Sequence, residues 1–344
     1  MNMEPKTLRF APVYKSYPWG GTRLPARYQR ADAPEVCAES WEISGHPKGM
    51  GVVAAGPYAG MTLDALARRF GAQLTGRPLE TFPLIFKILN ARGRLSLQVH
   101  PSDATARAFG GEPKSEAWHM LGPGVIYTGL RDGVTEADLR DARTDRDFEN
   151  LLLRHDVAEG DSVYIPGGLV HAIGEGSLVY EIQQSSDTTY RLYDWGNNGR
   201  ETHVEEGLRV VDWSLGAPKI IKGRAGCEGA PPSPCPPGGL PIPKTFGNPS
   251  GGGQGTARPT LGWREILRTP YFHLRGITLA DEPLRVEMPG DTFHALFVKR
   301  GAVRVEAGGE TTEAHCGDSL LLPACCGAYT LAPEGGAEIL LTTL

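Results

Sequence analysis

The sequence predicts a mainly β chain folded as two jelly-roll barrels, with a few short helices in its N-terminal part. Short apolar runs recur between turn signals, and 45 glycines and 28 prolines punctuate the 344 residues. A Gly/Pro-rich segment then divides the runs into two groups. Of the 37 residues in 223–259, 10 are Gly and 9 are Pro. Such a stretch cannot bury enough apolar surface to offset its ordering entropy, so it reads as a linker or long loop. The expected organisation is a catalytic-type domain over 1–222, the linker over 223–259, and a small C-terminal barrel over 260–344.

Before the linker, residues 82–89 (FPLIFKIL) and 95–99 read as strands around a turn at 90–93. Residues 162–166 and 177–183 form another pair, flanking Gly167-Gly168 and a turn at 174–176. Helical periodicity is confined to 63–70, 103–109, 136–153 and 204–211; in the third, Leu139, Phe148, Leu151 and Leu152 supply an apolar stripe. After the linker, 272–279, 284–288, 295–299, 302–306 and 319–322 alternate with glycine-containing turns, an all-β signature.

Composition narrows the function. Thirty-five basic against 40 acidic side chains give a net charge of −5 with no basic cluster, so nucleic acid is not an expected partner. No run approaches the roughly 18 apolar residues of a membrane span, and residues 1–12 do not read as a signal peptide. Six scattered cysteines, two of them adjacent at Cys325–Cys326, lack zinc or redox spacing. A reduced, cytoplasmic protein is expected. Neither a dinucleotide fingerprint nor a Walker loop occurs.

The chemistry concentrates in Leu95-Ser-Leu-Gln-Val-His100-Pro. Strand residues two apart share a face, so Ser96, Gln98 and His100 project together while Leu97 and Val99 pack behind. Glu116 follows 16 residues later, and His171 a further 55 on, after the Gly167-Gly168 turn. Two imidazoles, a carboxylate and an amide oxygen suit zinc or another divalent ion, and an open position would make such a site catalytic. Each residue alone also has an ordinary structural reading, and spacing across three strands leaves both open. Lys114, two before Glu116, shares its face if that segment is a strand. It could bind phosphate, stabilise charge or shuttle a proton; a solvated edge lysine is the rival reading.

Beyond these residues the chain resembles type I mannose-6-phosphate isomerases, in the short bacterial form. The resemblance runs over roughly 12–213. It is carried by Tyr17-Pro-Trp-Gly, Ser40-Trp-Glu-Ile-Ser-Gly-His-Pro, Phe82-Pro-Leu-Ile-Phe-Lys, 95–103, Lys114-Ser-Glu-Ala-Trp, 165–173 and Thr188-Thr-Tyr-Arg-Leu-Tyr-Asp-Trp. It implies a double cupin whose metal is held by Gln98, His100, Glu116 and His171. Arg191 is then placed beside the metal as the cation for an enediolate; a salt bridge to Asp187 or Asp194 is the alternative. Ser96, on the face of Gln98 and His100, is a candidate ligand for substrate phosphate or hydroxyl groups, with strand-end capping as its alternative, while Trp19 and Glu42 either shape the pocket or serve as a core indole and a paired surface carboxylate. His46 is not expected to be a ligand, and the general base has no assignment.

The activity implied is a zinc-dependent aldose–ketose isomerase that interconverts mannose 6-phosphate and fructose 6-phosphate through an enediol. One Zn2+ per chain is implied, with other divalent ions able to replace it. A small-molecule sugar phosphate is the expected partner, and a monomer or weak homodimer the expected state. Two departures stand out: His119 follows Trp118, and the linker is long. The segments 290–297 and 317–323 look like eroded cupin signatures, so a second metal is not expected. A non-catalytic sugar-phosphate-binding cupin and a metal-dependent oxygenase are the rival functions; the Gln ligand makes the oxygenase the weakest.

Overall fold

A computed structural model describes residues 4–196, 200–223 and 262–344. Apart from Gly223, the predicted linker lies outside the described residues. The chain folds as two units. The larger comprises Phe10–Arg69 and Leu79–Ser233, the smaller Met1–Arg9, Phe70–Pro78 and Pro234–Leu344.

Among its described residues the larger unit holds two large antiparallel sheets, besides a two-stranded pairing of Phe10–Ala11 with Val52–Val53. Six strands run in the order Ser162–Ile165, Glu116–Met120, Leu178–Gln184, Leu84–Asn90, Glu39–Ser44, Val13–Lys15. Five run in the order Tyr190–Tyr193, Leu97–Val99, His171–Ile173, Gly124–Leu130, Leu152–Val157. Side chains from both sheets meet in one apolar cluster that includes Leu89, Trp118, Ile126, Ile173 and Val179. The other face of the five-stranded sheet packs Leu97, Val99 and Ala172 against Leu139, Phe148, Leu208 and Val210 of three short helices. In the six-stranded sheet, Leu84–Asn90 is buried at every position, and alternation disappears from its sequence.

The periodic stretch 136–153 is not one helix. Thr135 and Thr144 each close a capping box, with Asp138 and Asp147 respectively, giving helices Glu136–Asp141 and Asp145–Leu151. The chain then passes directly into the strand Leu152–Val157. A threonine inside a helical pattern was in fact a start signal.

In the smaller unit, Arg264–Arg268, His273–Leu279, Tyr329–Thr343, His294–Ala307 and Glu310–His315 are consecutive neighbours in a seven-stranded antiparallel sheet. The runs 295–299 and 302–306, expected as two strands, form the single strand His294–Ala307. Gly301 sits within register shifts along it rather than in a reversing turn. The apolar face packs Leu296, Val298, Val305, Tyr329 and Leu341. Buried His294 bonds through Nδ1 to the Tyr329 hydroxyl at 2.9 Å, and burial pushes its pKa down to about 4.

Among the described residues no helix is long and apolar enough to cross a membrane. Among the described residues Cys37, Cys325 and Cys326 carry free thiols.

Candidate metal centre

Register across the five-stranded sheet sets the first part of the site. Arg191 lies opposite Gln98, Gln98 opposite His171, and His171 opposite Thr128. Directly opposed residues in antiparallel strands share a face, so these four form one row. His100 follows the Leu97–Val99 strand immediately, and Glu116 enters from the six-stranded sheet. Its two carboxylate oxygens stand 3.5 Å from His100 Nε2 and 3.5 Å from His171 Nε2. Ligand atoms of His100, Glu116 and His171 lie within 4.8 Å of one another, and all three residues are buried.

Both imidazoles are oriented from behind. Nδ1–H of His100 donates to the Thr188 carbonyl at 2.9 Å, and Nδ1–H of His171 to the Leu169 carbonyl at 2.8 Å. Each Nε2 lone pair therefore points into the cluster, the arrangement of metal-ligating histidines. Gln98 Nε2 is 3.2 Å from His171 Nε2 and 3.5 Å from His100 Nε2, while Gln98 Oε1 accepts from the Ser96 hydroxyl at 3.3 Å. Half a turn of that amide would present its oxygen to the cluster instead.

The glycine turn brings the two histidines together. Gly168 N–H donates to the His100 carbonyl at 2.7 Å. A Cβ at Gly167 would stand 2.6 Å from the Pro101 carbonyl oxygen and 2.7 Å from Ser102 Cα. Gly167→Ala is expected to destabilise the protein by about 1–3 kcal/mol, the usual cost of overpacking. An unchanged urea-unfolding midpoint would show that the backbone yields freely there.

Charge states follow from burial and neighbours. Burial, reinforced by the Lys114 ammonium, pushes His100 down to about 3, and burial likewise lowers His171. Both are neutral, the form that binds a metal. Burial alone would raise Glu116, but the Lys114 ammonium foremost holds it well below the carboxylate range. Lys114 Nζ lies 3.0 Å from His100 Nε2 and 3.0 Å from Glu116 Oε2. Glu116 is nevertheless buried with no hydrogen bond to either oxygen, its lysine contact being an ion pair rather than an aligned bond. Two neutral imidazole nitrogens and an ionised carboxylate with free lone pairs make a donor set that fits a divalent cation.

The structure brings together Ser96, Gln98, His100, Lys114, Glu116 and His171. Arg191 shares the row, although Nη1 donates to the Glu201 carbonyl at 2.5 Å and its buried Nε has no partner. Trp19 is a core indole in the inner apolar cluster with Trp118, stacked on Tyr17. Glu42 is not brought to the cluster. It accepts from both Nη atoms of Arg30 at 2.7 and 2.9 Å and from Ser40. Ser40, Ile88, Tyr180 and His119 line up across the six-stranded sheet on the face away from Glu116. His119 there bonds Ser162 at 2.8 Å.

Sequence reasoning passed over a second buried group on the inner face. Lys87 Nζ is 3.6 Å from Glu39 and 3.6 Å from Glu181, and lies over the Trp41 ring. Glu181 also accepts from Trp118 Nε1 at 3.1 Å, and Trp118 in turn contacts the His171 ring. Burial foremost, and the nearby Glu116 charge, push Glu181 up to about 7, against the pull of Lys87. Burial alone would lower Lys87; Glu39 and Glu181 raise it instead. The available signal was one lysine in the middle of the apolar run FPLIFKIL.

Two β units, the larger carrying an inward-facing His/Glu/His cluster with an adjacent glutamine, define a double-cupin protein of metal-binding type. The model of the type I phosphomannose isomerase catalytic domain matches residues 7–117. Mannose-6-phosphate isomerase of Streptococcus mutans serotype c is 37% identical over 210 residues, covering 58% of this chain and 65% of that protein. Mannose-6-phosphate isomerase ManA of Bacillus subtilis is 38% identical over 226 residues, covering 62% and 69%. This chain belongs to the type I phosphomannose isomerase family. It spans about two thirds of the length of the curated relatives it matches. The crystal structure of a mannose 6-phosphate isomerase from Bacillus subtilis superposes with a TM-score of 0.79 at 26% identity, over 99% of this chain and 100% of that one. A mannose 6-phosphate isomerase bound with zinc and yttrium shares the fold, at a TM-score of 0.68 and 15% identity, over 99% and 100%.

Proposed function

We propose that the chain interconverts mannose 6-phosphate and fructose 6-phosphate, with one zinc ion held by Gln98, His100, Glu116 and His171. The observation that carries this reading is Glu116, an ionised buried carboxylate whose oxygens accept no hydrogen bond and face two imidazole lone pairs. Family membership supports this choice of substrate. A divalent ion there would contribute Lewis acidity and a template for sugar oxygens.

Moving a proton between C1 and C2 through an enediol needs a base and a positive charge near the developing oxyanion. Arg191, in the Gln98 row, supplies a charge that cannot be titrated away. The Lys114 ammonium lies against the cluster and adds a donor for a substrate oxygen or phosphate. Ser96 holds the Gln98 amide and stands next to it for a sugar hydroxyl. Glu181, poised at about 7, is the acid–base candidate whose proton equilibrium lies at working pH. Working ionised, as a base, it makes kcat/KM rise with pH through its titration, which a cation beside Glu116 would draw below about 7. Glu181→Gln is expected to remove that limb; a profile unchanged in the variant would assign the base elsewhere.

The reading is tested by a coupled assay of mannose 6-phosphate conversion on zinc-loaded protein. No turnover of any hexose phosphate at full zinc occupancy would overturn it in favour of a sugar-phosphate-binding module.

A further inference from the structure

We propose that Glu112 is a positioning residue for the metal centre, fixing the loop whose Thr188 carbonyl orients His100. The carboxylate touches none of the metal-type residues. It acts through a chain of hydrogen bonds joining three segments far apart in sequence.

His46 begins the chain. Its Nδ1 accepts the Lys48 N–H at 3.3 Å, so its proton sits on Nε2, which donates to Glu112 Oε2 at 3.2 Å. The same oxygen accepts the Asp187 N–H at 3.1 Å. Glu112 also grips this loop through its backbone. Its N–H donates to the Thr188 hydroxyl at 3.0 Å, and its carbonyl accepts from the Ser186 hydroxyl at 3.1 Å. The approach is close because Gly111 has φ +87; a Cβ there would stand 3.1 Å from Thr188 Cγ2. The gripped residue, Thr188, then presents its carbonyl to His100 Nδ1–H at 2.9 Å.

His46 and His100 are thus held in opposite tautomers by one continuous network, and only the second leaves its Nε2 unprotonated, facing Lys114 Nζ and Glu116. The loop is also tied upstream of Asp187, where Gln183 Nε2 donates to the Ser186 carbonyl at 2.6 Å and the Ser185 N–H to the Pro83 carbonyl at 2.9 Å. At Asp187 itself, Lys48 adds at 3.0 Å an ion pair with a largely exposed lysine that restrains little. Partners that orient a ligating histidine typically change metal affinity 10–100-fold when lost. Half-exposed Glu112 belongs at the low end, because its backbone bonds survive truncation.

This inference rests on the metal-centre reading for its effect on affinity but not for its effect on His100. The first measurement is the His100 Nδ1–H resonance in uniformly 15N-labelled, metal-free protein. The second is zinc affinity by chelator competition. Glu112→Ala should move the resonance upfield, broaden it by exchange, and weaken zinc binding roughly tenfold. Glu112→Gln, which can still accept from Asp187, should match the wild type in both. Wild-type resonance and affinity in Glu112→Ala would overturn the proposal, as would a Gln variant that behaves like Ala. Were the wild-type chain to bind no zinc, the metal-centre reading would fall, and the resonance alone would decide this one.

Discussion

His171→Ala is expected to leave the protein folded but unable to hold stoichiometric zinc. The imidazole does two jobs at once: its Nδ1 ties back to Leu169, and its Nε2 faces both Glu116 and the Gln98 amide. Alanine removes one of two neutral nitrogens and leaves an ionised carboxylate with a single imidazole and a lysine. The loss should exceed the roughly 100-fold that a mere supporting partner costs. Metal analysis after dialysis, with a chelator competition for affinity, gives the answer. Full zinc and full turnover in both His171→Ala and His100→Ala would eliminate this cluster as the metal centre. The unfolding midpoint serves as the control, because lost activity that tracks unfolding would mark His171 as structural.

Lys87→Met should produce the largest loss of stability. The side chain is buried, and its ammonium is the shared counter-charge of Glu39 and Glu181. Breaking a buried pair by removing one partner costs about 3–5 kcal/mol, because a charge is left uncompensated in low dielectric. The sign of the pH dependence separates this from a packing effect. Glu181 already sits at about 7 with Lys87 present, and without it the carboxyl moves higher. A carboxyl whose folded pKa is raised favours the folded state below its unfolded value of roughly 4.3. That contribution fades as pH rises toward the folded value. The gap between variant and wild type should therefore widen from pH 5 to pH 8 in urea unfolding. A gap constant with pH would assign the loss to packing over the Trp41 ring.

Much of the centre was legible because strand alternation is a short-range rule. Gln98 and His100 could be placed on one face from five residues, and the Gly167-Gly168 turn marked where His171 would enter. The rule failed where its premises failed. Leu84–Asn90 and Leu178–Gln184 are buried almost throughout, so nothing in their hydrophobicity says which face Lys87 and Glu181 occupy. Near Glu42 the register shifts between Trp41 and Ile43. A count of two along that strand therefore does not predict which carboxylate turns inward, and Glu39 is the one that reaches Lys87. The split of 136–153 was visible only in the side-chain hydrogen bonds of Thr144, because the apolar stripe continues across the break. What sequence missed depended on partners supplied by other strands.

The row Arg191–Gln98–His171 and the carboxylate of Glu116 belong to different sheets, from segments up to 93 positions apart (98 to 191). Neither sheet alone carries a complete donor set. A nascent chain released or cut before residue 171 would hold only Gln98, His100 and Glu116, with no second imidazole. Zinc uptake should consequently lag behind secondary structure during refolding, timing the moment when the two sheets come into register.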